Sequence, residues 1–579
     1  MKETDGQAVK TVRRLALDLG PYAEAVEKRL AAFEEVDFGR RLWRKDAFLW
    51  TGSAKEGSQI AASLGWLDVA EIMAANQDLL LKLRHEAHAG GFRRVVHMGM
   101  GGSSLAPLVM AKVLPLANEG LPLTVLDTTD PATIIRIEKE APPEETLFIV
   151  ASKSGTTAEP HAFGEFFYRL VFQAKGSSAG ENFIAVTDPE TPLAKLAAAR
   201  NFRHVFLNFP DIGGRYSALS FFGLVPAVLA GADTEALLGQ ALRMQRACAG
   251  AIPVQANPGL VLGAVLGELG LAGRDKVTFI TEKSIASLGL WLEQLLAEST
   301  GKEGKGLLPV TGEAAGPPGV YGDDRLFVFL RANNDEPSLA AGVKELKAAG
   351  HPVVTIEIDE PDQLGQEFYR WEVATAAAGA VLGINPFNQP NVQESKDNTN
   401  RLLDQAAKAG ELPPESPLLM EAPLSIYSES LAPAAASVAA ALASFLGQAR
   451  PGGYLALMAY LTEDEDTSRA LARLQAGLRG RLRLAVTVGY GPRFLHSTGQ
   501  FHKGGPAGGL FLQFTCESGA DALIPGAAYG FRIFKKAQAL GDFKALGRHG
   551  RKVMRVHLGE DQAGGLARLE EIIGGMAQA

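Results

Sequence analysis

Thr146-Leu147-Phe148-Ile149-Val150-Ala151 runs directly into Ser152-Lys153-Ser154-Gly155-Thr156-Thr157, and the reading of this junction decides the fold. The first six residues read as a buried parallel strand, because a strand covered on both faces shows a continuous apolar run rather than alternation. Residues 158–170 read as the helix that follows. Strand, polar loop and helix in that order form one unit of a doubly wound α/β sheet. Hydroxyls and backbone N–H groups at the mouth of a helix make an anion site, since the first turn's donors lack partners inside the helix and its dipole is positive there. An ordinary Ser/Thr N-cap explains the same residues, so the loop takes its meaning from its neighbours.

Outward from this junction the alternation continues. Strands are expected at 95–98, 123–127, 183–187 and 205–207, with helical segments between them and a Gly/Ser loop before the helix at 105–116. Residues up to about 90 read as helices, with amphipathic patches at 26–38 and 69–83. After a helical stretch at 217–250 the pattern restarts, with strands at 277–280, 326–329 and 353–356. The Gly- and Pro-rich span 301–322 reads as a long loop inside that second sheet. Leu412-Pro413-Pro414-Glu415-Ser416-Pro417 is a breaker cluster that reads as a linker. Strands near 455–459, 484–488, 510–514 and 553–557 follow it. The expected organisation is a helical region at 1–90, parallel-sheet domains at 91–250 and 251–410, and a C-terminal α/β unit at 411–579.

Bulk composition excludes several classes. A chain of 579 residues that is 46% hydrophobic and 21% charged buries large cores and is expected to be globular. The net charge is -8 without a long basic run, which argues against nucleic acid as the main partner. Cys248 and Cys516 are the only cysteines, too few for a disulfide framework, and a reducing cytoplasm fits. The start, Met1-Lys2-Glu3-Thr4-Asp5-Gly6, is not expected to be a secretory signal. The Ala-rich run 432–446 is too short and weakly apolar to span a bilayer. No cluster has metal-ligand spacing, so neither metal nor cofactor is expected.

Four further segments carry chemistry. Gly99-Met100-Gly101-Gly102-Ser103-Ser104 turns a strand into its helix, where glycines let a ligand approach the backbone. A dinucleotide fingerprint competes there, because Asp127 ends the next strand where an acid meets a ribose, but Ser104 replaces the third glycine. Asp211-Ile212-Gly213-Gly214-Arg215-Tyr216-Ser217 adds paired glycines and a permanent positive charge, although its arginine also suits a simple ion pair. Gln294 and Glu298 share one face of an otherwise apolar helix, where a carboxylate wants a reason. Phe387-Asn388-Gln389-Pro390-Asn391-Val392-Gln393-Glu394-Ser395-Lys396 is a turn feeding a helix, with Lys396 either a proton carrier or a surface lysine.

Taken together and in order, these segments resemble the glucose-6-phosphate isomerase (phosphoglucose isomerase) family. The resemblance runs from the N-terminal helices to about Lys408. It rests on Gly-Gly-Ser-Ser, Ser-Lys-Ser-Gly-Thr-Thr, Gly-Gly-Arg-Tyr-Ser, Gln-x-x-x-Glu-Ser-x-Gly-Lys and Phe-Asn-Gln…Val-Gln-x-x-Lys. It implies an α/β fold of two doubly wound parallel-sheet sugar-isomerase (SIS) domains plus the C-terminal α/β unit. That last unit resembles the isomerase half of bifunctional transaldolase/glucose-6-phosphate isomerase fusions, though no eightfold βα barrel fits in this chain. By the same resemblance Ser152, Lys153, Ser154, Thr156 and Thr157 bind the phosphate, and Gly102, Ser103 and Gln294 touch the sugar. Arg215 faces the developing enediolate, Glu298 is the base and Lys396 helps open the ring. Gly214 and Gln389, in the motifs of Arg215 and Lys396, are expected at the same site.

One part of the family pattern is missing. A ring-opening histidine belongs between the glutamate and the lysine, yet 299–352 holds only His351, at the edge of an expected strand. Asp323, Asp324 and Arg325 are candidate substitutes, but none is a neutral acid–base near pH 7. Leu495-His496-Ser497-Thr498-Gly499-Gln500-Phe501 resembles the Leu-His-Ser-Met-Gly-Gln-Tyr segment that carries the histidine in short bacterial members. His496 is therefore the expected replacement and His502 the backup. A Gly-rich surface loop with two incidental histidines is the competing reading. Catalytic order along the chain is free to change because geometry, not sequence position, defines such a set.

The resemblance implies a cytoplasmic aldose–ketose isomerase that interconverts glucose 6-phosphate and fructose 6-phosphate through a cis-enediol. A dual phosphoglucose/phosphomannose isomerase and a non-catalytic sugar-phosphate sensor are the alternatives; a sensor needs the phosphate loop but no base in register with Lys396. The expected partner is a small sugar phosphate, with no nucleic acid and no membrane. Family members are commonly homodimers that complete each other's sites, and the extra unit is a candidate to replace the second subunit.

Overall fold

The computed structural model describes residues 15–576 apart from 118, 333–335, 429–434, 518 and 520. Met1 to Gly6, read above for a secretory signal, and 432–434 of the Ala-rich run lie outside the described residues. Among the described residues no helix is long and apolar enough to cross a membrane.

The fold is mixed α/β, built on three largely parallel sheets. In the first sheet β2 (Arg94–Met98), β3 (Leu123–Leu126), β4 (Thr146–Ala151), β5 (Phe183–Thr187) and β6 (His204–Leu207) stand in the order β3-β2-β4-β5-β6, all parallel. Every residue of β4 is buried, as its unbroken apolar run requires. The chain leaves β2 to one side and returns to β4 on the other, so the strand order reverses between these two strands. Crevices beyond the carboxyl ends of strands at such a reversal are where open α/β sheets bind ligands. The loops 99–104 and 152–157 flank this one.

The second sheet contains β7 (Lys276–Thr281), β8 (Leu308–Val310), β9 (Arg325–Ala332) and β10 (Val353–Ile358), with β1 (Ala16–Asp18) antiparallel on the edge of β10. Two short strands depart from the sequence reading. β1 lies within the region read as helical, and β8 lies inside the span read as loop. Each is three residues long and draws its stability from an already formed neighbour.

The third sheet has the order β11-β12-β16-β15-β13-β14, formed from β11 (Leu419–Glu421), β12 (Leu424–Ser428), β13 (Tyr454–Tyr460), β14 (Ala485–Tyr490), β15 (Gly509–Thr515) and β16 (Lys552–His557). β13 to β16 are parallel, while the hairpin β11–β12 after the Pro-rich segment is antiparallel on the β16 edge.

One core ties this last sheet to the first. The helix after the loop 152–157 (Ala158–Lys175), the Lys396 helix (Val392–Ala409) and the helix Phe531–Arg548 share a cluster that includes Phe163, Phe166, Leu402, Phe531 and Phe534. The Phe531 ring lies 5.8 Å from those of both Phe163 and Phe166, and a fully buried Phe contributes about 1.5–3 kcal/mol. Gly541 allows the Lys396 helix to come close, since a Cβ there would stand 3.0 Å from Thr399 Oγ1. This packing brings three separate stretches of chain to the mouth of the loop 152–157.

Candidate active site

The loop 152–157 is shaped by its glycine. Gly155 has φ +64°, a left-handed conformation that only glycine adopts without strain, and an added Cβ would stand 2.8 Å from Thr191. The turn pairs the hydroxyls of Ser152 and Thr157 at 2.9 Å and those of Ser154 and Thr156 at 2.9 Å. Thr157 takes the N-cap position of the following helix without capping it, so its hydroxyl stays with Ser152. Lys153 is placed differently from expectation. Its ammonium turns to the Asp188 carboxylate and the Pro210 carbonyl, tying the loop to the next two strand ends.

The two glycine loops meet back to back. A Cβ on Gly102 would fall 2.1 Å from the Gly214 carbonyl oxygen, so their contact is main chain on main chain. Gly101, at φ +55°, lies against both Gln294 and His496, where a Cβ would approach within 2.8 Å and 2.9 Å. His97 braces this loop by its Nε2, 2.5 Å from the Ser103 carbonyl. Burial lowers the His97 pKa to about 4, so the ring is neutral and its Nε2–H donates.

Arg215 and Glu298 form a buried ion pair at 2.8 Å. Arg215 also donates to Ser299 Oγ at 3.0 Å, Gln389 Oε1 at 3.0 Å and the Pro386 carbonyl at 3.1 Å, so its fork is fully held. Lys302 donates to the carbonyl of Asn385 and the side chain of Asn388, and burial holds its pKa well below the usual lysine range. These contacts lash the 385–389 turn to the helix Leu288–Thr300. Within that helix Gln294 Nε2 donates to Glu298 Oε2 at 3.0 Å and to the His496 carbonyl at 2.8 Å.

A cavity of about 260 Å³ opens beside this cluster, lined among others by Thr156, Thr157, Glu159, Lys396, His496 and Gln538. His496 comes from the turn that follows β14 and sets its Nε2 3.0 Å from Glu159 Oε1. Gln538 donates to the same oxygen at 2.8 Å and accepts from Thr129 at 2.7 Å. Burial raises the Glu159 pKa, but the charge and hydrogen bond of His496 outweigh it and the net shift is downward. Glu298 and Arg215 do not line the cavity. They join it through Gln294, whose amide reaches both the carboxylate and the histidine turn.

The phosphoglucose isomerase family model matches residues 68–309. The chain is 32% identical over 365 residues to the glucose-6-phosphate isomerase of Rubrobacter xylanophilus, covering 55% of this chain and 84% of that protein. It is 28% identical over 418 residues to that of Thermosynechococcus vestitus, covering 65% and 77%.

The chain belongs to the glucose-6-phosphate isomerase family.

Solved structures agree on the fold. A hypothetical protein from Thermus thermophilus superposes with a TM-score of 0.57 at 24% identity, over 67% of this chain and 99% of that one. A glucose-6-phosphate isomerase from Chlamydia trachomatis gives 0.51 at 21%, over 66% and 86%. The segment matched by the phosphoglucose isomerase family model contains the loop 152–157, both glycine loops, Gln294 and Glu298. Lys396 and His496 lie beyond it, and it is the tertiary structure that brings them to one cavity.

The other titratable candidates are elsewhere. His502 is enclosed by the rings of Tyr454, Phe494 and Phe511 at 6.2, 6.1 and 5.1 Å and does not line the cavity. Burial, with Lys503 and Arg551 nearby, holds its pKa well below the ordinary histidine value. His351 packs edge-on to Phe327 at 5.2 Å. Arg325 is bound to Glu313 at 3.1 Å and to the Leu484 carbonyl at 3.1 Å, and Asp324 faces Lys276 at 3.6 Å. Of these contacts only the one to Leu484, just before β14, reaches the unit of the third sheet. Asp127, the acid that a nucleotide fingerprint needs, is taken by a two-pronged pair with Arg493 at 2.7 and 2.8 Å.

Glu159 and Gln538 are site residues that the sequence reading missed. An acid in the first turn of a helix is ordinary, because it opposes the dipole there. No sequence signal marks Gln538.

Proposed function

We propose that this chain is an aldose–ketose isomerase that interconverts glucose 6-phosphate and fructose 6-phosphate. The observation that carries the reading is the double engagement of Gln294. One amide is bonded to the Glu298 carboxylate and to the carbonyl of His496, 202 residues further along the chain. A base and a histidine from different domains are thereby held in one register, with Lys396 on the same cavity as the histidine.

In this reading the phosphate rests at the hydroxyl-rich turn 152–157, at the positive end of its helix. His496 and Lys396 open the ring, one taking the anomeric hydroxyl proton while the other delivers a proton to the ring oxygen. Glu298 then removes the proton from C2 and returns it to C1 through a cis-enediol. Arg215 opposes the negative charge that grows on the enediolate oxygens, an interaction stronger in the transition state than in the ground state. Glu159 keeps the His496 ring oriented.

The domain division at 1–90, 91–250, 251–410 and 411–579 belongs to the same proposal, as do a cytoplasmic location and a homodimer. The turn carrying His496 supports likeness to the isomerase half of the transaldolase fusions. Assay of the purified protein with glucose 6-phosphate and with mannose 6-phosphate tests the reading. Interconversion of glucose 6-phosphate and fructose 6-phosphate is expected; tight binding without turnover would make the chain a sensor.

A further inference from the structure

The helix that carries Glu298 offers a second polar side chain to the histidine turn. Gln294 holds the His496 carbonyl, and its neighbour Glu293 holds the next residue: Ser497 Oγ donates to Glu293 Oε1 at 3.1 Å. Thr311 Oγ1 donates to the other carboxyl oxygen at 3.4 Å. Glu293 is 7% exposed, and among the described residues it makes no ion pair. A buried carboxyl with no ion-pair partner is costly and calls for a role. At its other end the turn is already fixed, with Arg493 gripped by Asp127 and by Glu463 at 2.9 Å. The Ser497 hydroxyl, which also lies 3.4 Å from the Phe494 carbonyl, ties the far end of the His496 turn to this helix.

We infer that Glu293 is a positioning residue for ring opening, holding Ser497 so that the His496 imidazole keeps its place between Glu159 and the cavity. The inference rests on the ring-opening role proposed for His496. Glu293 touches no reacting atom in this scheme. It acts on the turn and leaves Glu298 to the separate Gln294 contact.

Two rates separate the possibilities: turnover of the cyclic sugar phosphate, and C2-proton exchange in its open-chain form, which needs no ring opening. Glu293→Ala is expected to slow turnover about tenfold, the scale of one lost buried hydrogen bond, and to leave C2 exchange within about twofold. Glu293→Gln still presents an acceptor to Ser497 and is expected to restore turnover. Ser497→Ala should reproduce Glu293→Ala, with the double variant no slower than either single one. Should Glu293→Ala not fold, Ser497→Ala removes the same bond from the other side and decides alone. Unchanged turnover, equal loss of both rates, or failure of Glu293→Gln to restore turnover would each overturn the inference. His496→Ala is the reference. If it does not slow turnover selectively, the ring-opening reading falls and takes this inference with it; if it does and Glu293→Ala does not, only this inference falls.

Discussion

His496 Nε2 stands 3.0 Å from Glu159 Oε1, joining the turn after β14 to the first turn of the phosphate-loop helix. A carboxylate on one ring nitrogen fixes the orientation of an imidazole. Glu159→Gln removes that charge while keeping the shape. With charged hydrogen bonds worth about 1.5–3 kcal/mol, turnover is expected to fall about ten- to a hundredfold. The loss should be confined to the cyclic substrate, as rates on cyclic and open-chain forms will show.

His496→Ala should slow turnover of the predominantly cyclic sugar phosphate while sparing C2-proton exchange in the open-chain form. His502→Ala is expected to act on stability instead, since its ring is packed among aromatic neighbours and does not line the cavity. Equal kinetic effects of the two substitutions would contradict the assignment to His496.

Glu298→Gln should keep sugar-phosphate binding and lose proton transfer, because the amide matches the carboxylate in shape but does not accept the proton. A fall in kcat of about a hundredfold or more is expected for loss of a general base. Near wild-type isomerisation by this variant would mean that the base is another residue.

Ser152→Ala with Thr157→Ala removes the paired hydroxyls of the turn. Binding of fructose 6-phosphate and inhibition by inorganic phosphate should weaken together, since the proposed reading gives both hydroxyls to the phosphate. Inhibition by phosphate that stays at the wild-type level would place the anion elsewhere.

Burial pushes the Glu293 pKa up to about 7, above its ordinary value of 4.5, with the Ser497 and Thr311 hydrogen bonds opposing the rise. Between those two values the unfolded chain gives up the proton that the folded chain keeps, so stability falls as pH rises and levels off above about 7. The group's contribution across that window is about 3 kcal/mol. Glu293→Gln has no proton to lose, so its melting temperature should decline less between pH 5 and 7 than that of the wild type.

What the sequence determined by itself is local. The apolar run of β4 followed by Ser152 to Thr157, and the strand-to-helix glycine turn at 99–104, were legible because strand periodicity, helix capping and the backbone freedom of glycine depend on a few adjacent residues. The helical face shared by Gln294 and Glu298 was legible for the same reason. β1 and β8 were not, because three residues carry too little pattern and pair only when a neighbouring strand is already in place.

Tertiary structure alone decided which polar groups meet. Asp127 is spent on Arg493, 366 residues away. Lys153 is spent on Asp188, and Glu159 is brought to His496 from a position where an acid looks ordinary. His496 and His502 lie on the same short segment with similar sequence surroundings. One ring lines the cavity and the other enters an aromatic core, because the partner of each is set by the packing of distant helices and sheets, which no local pattern encodes.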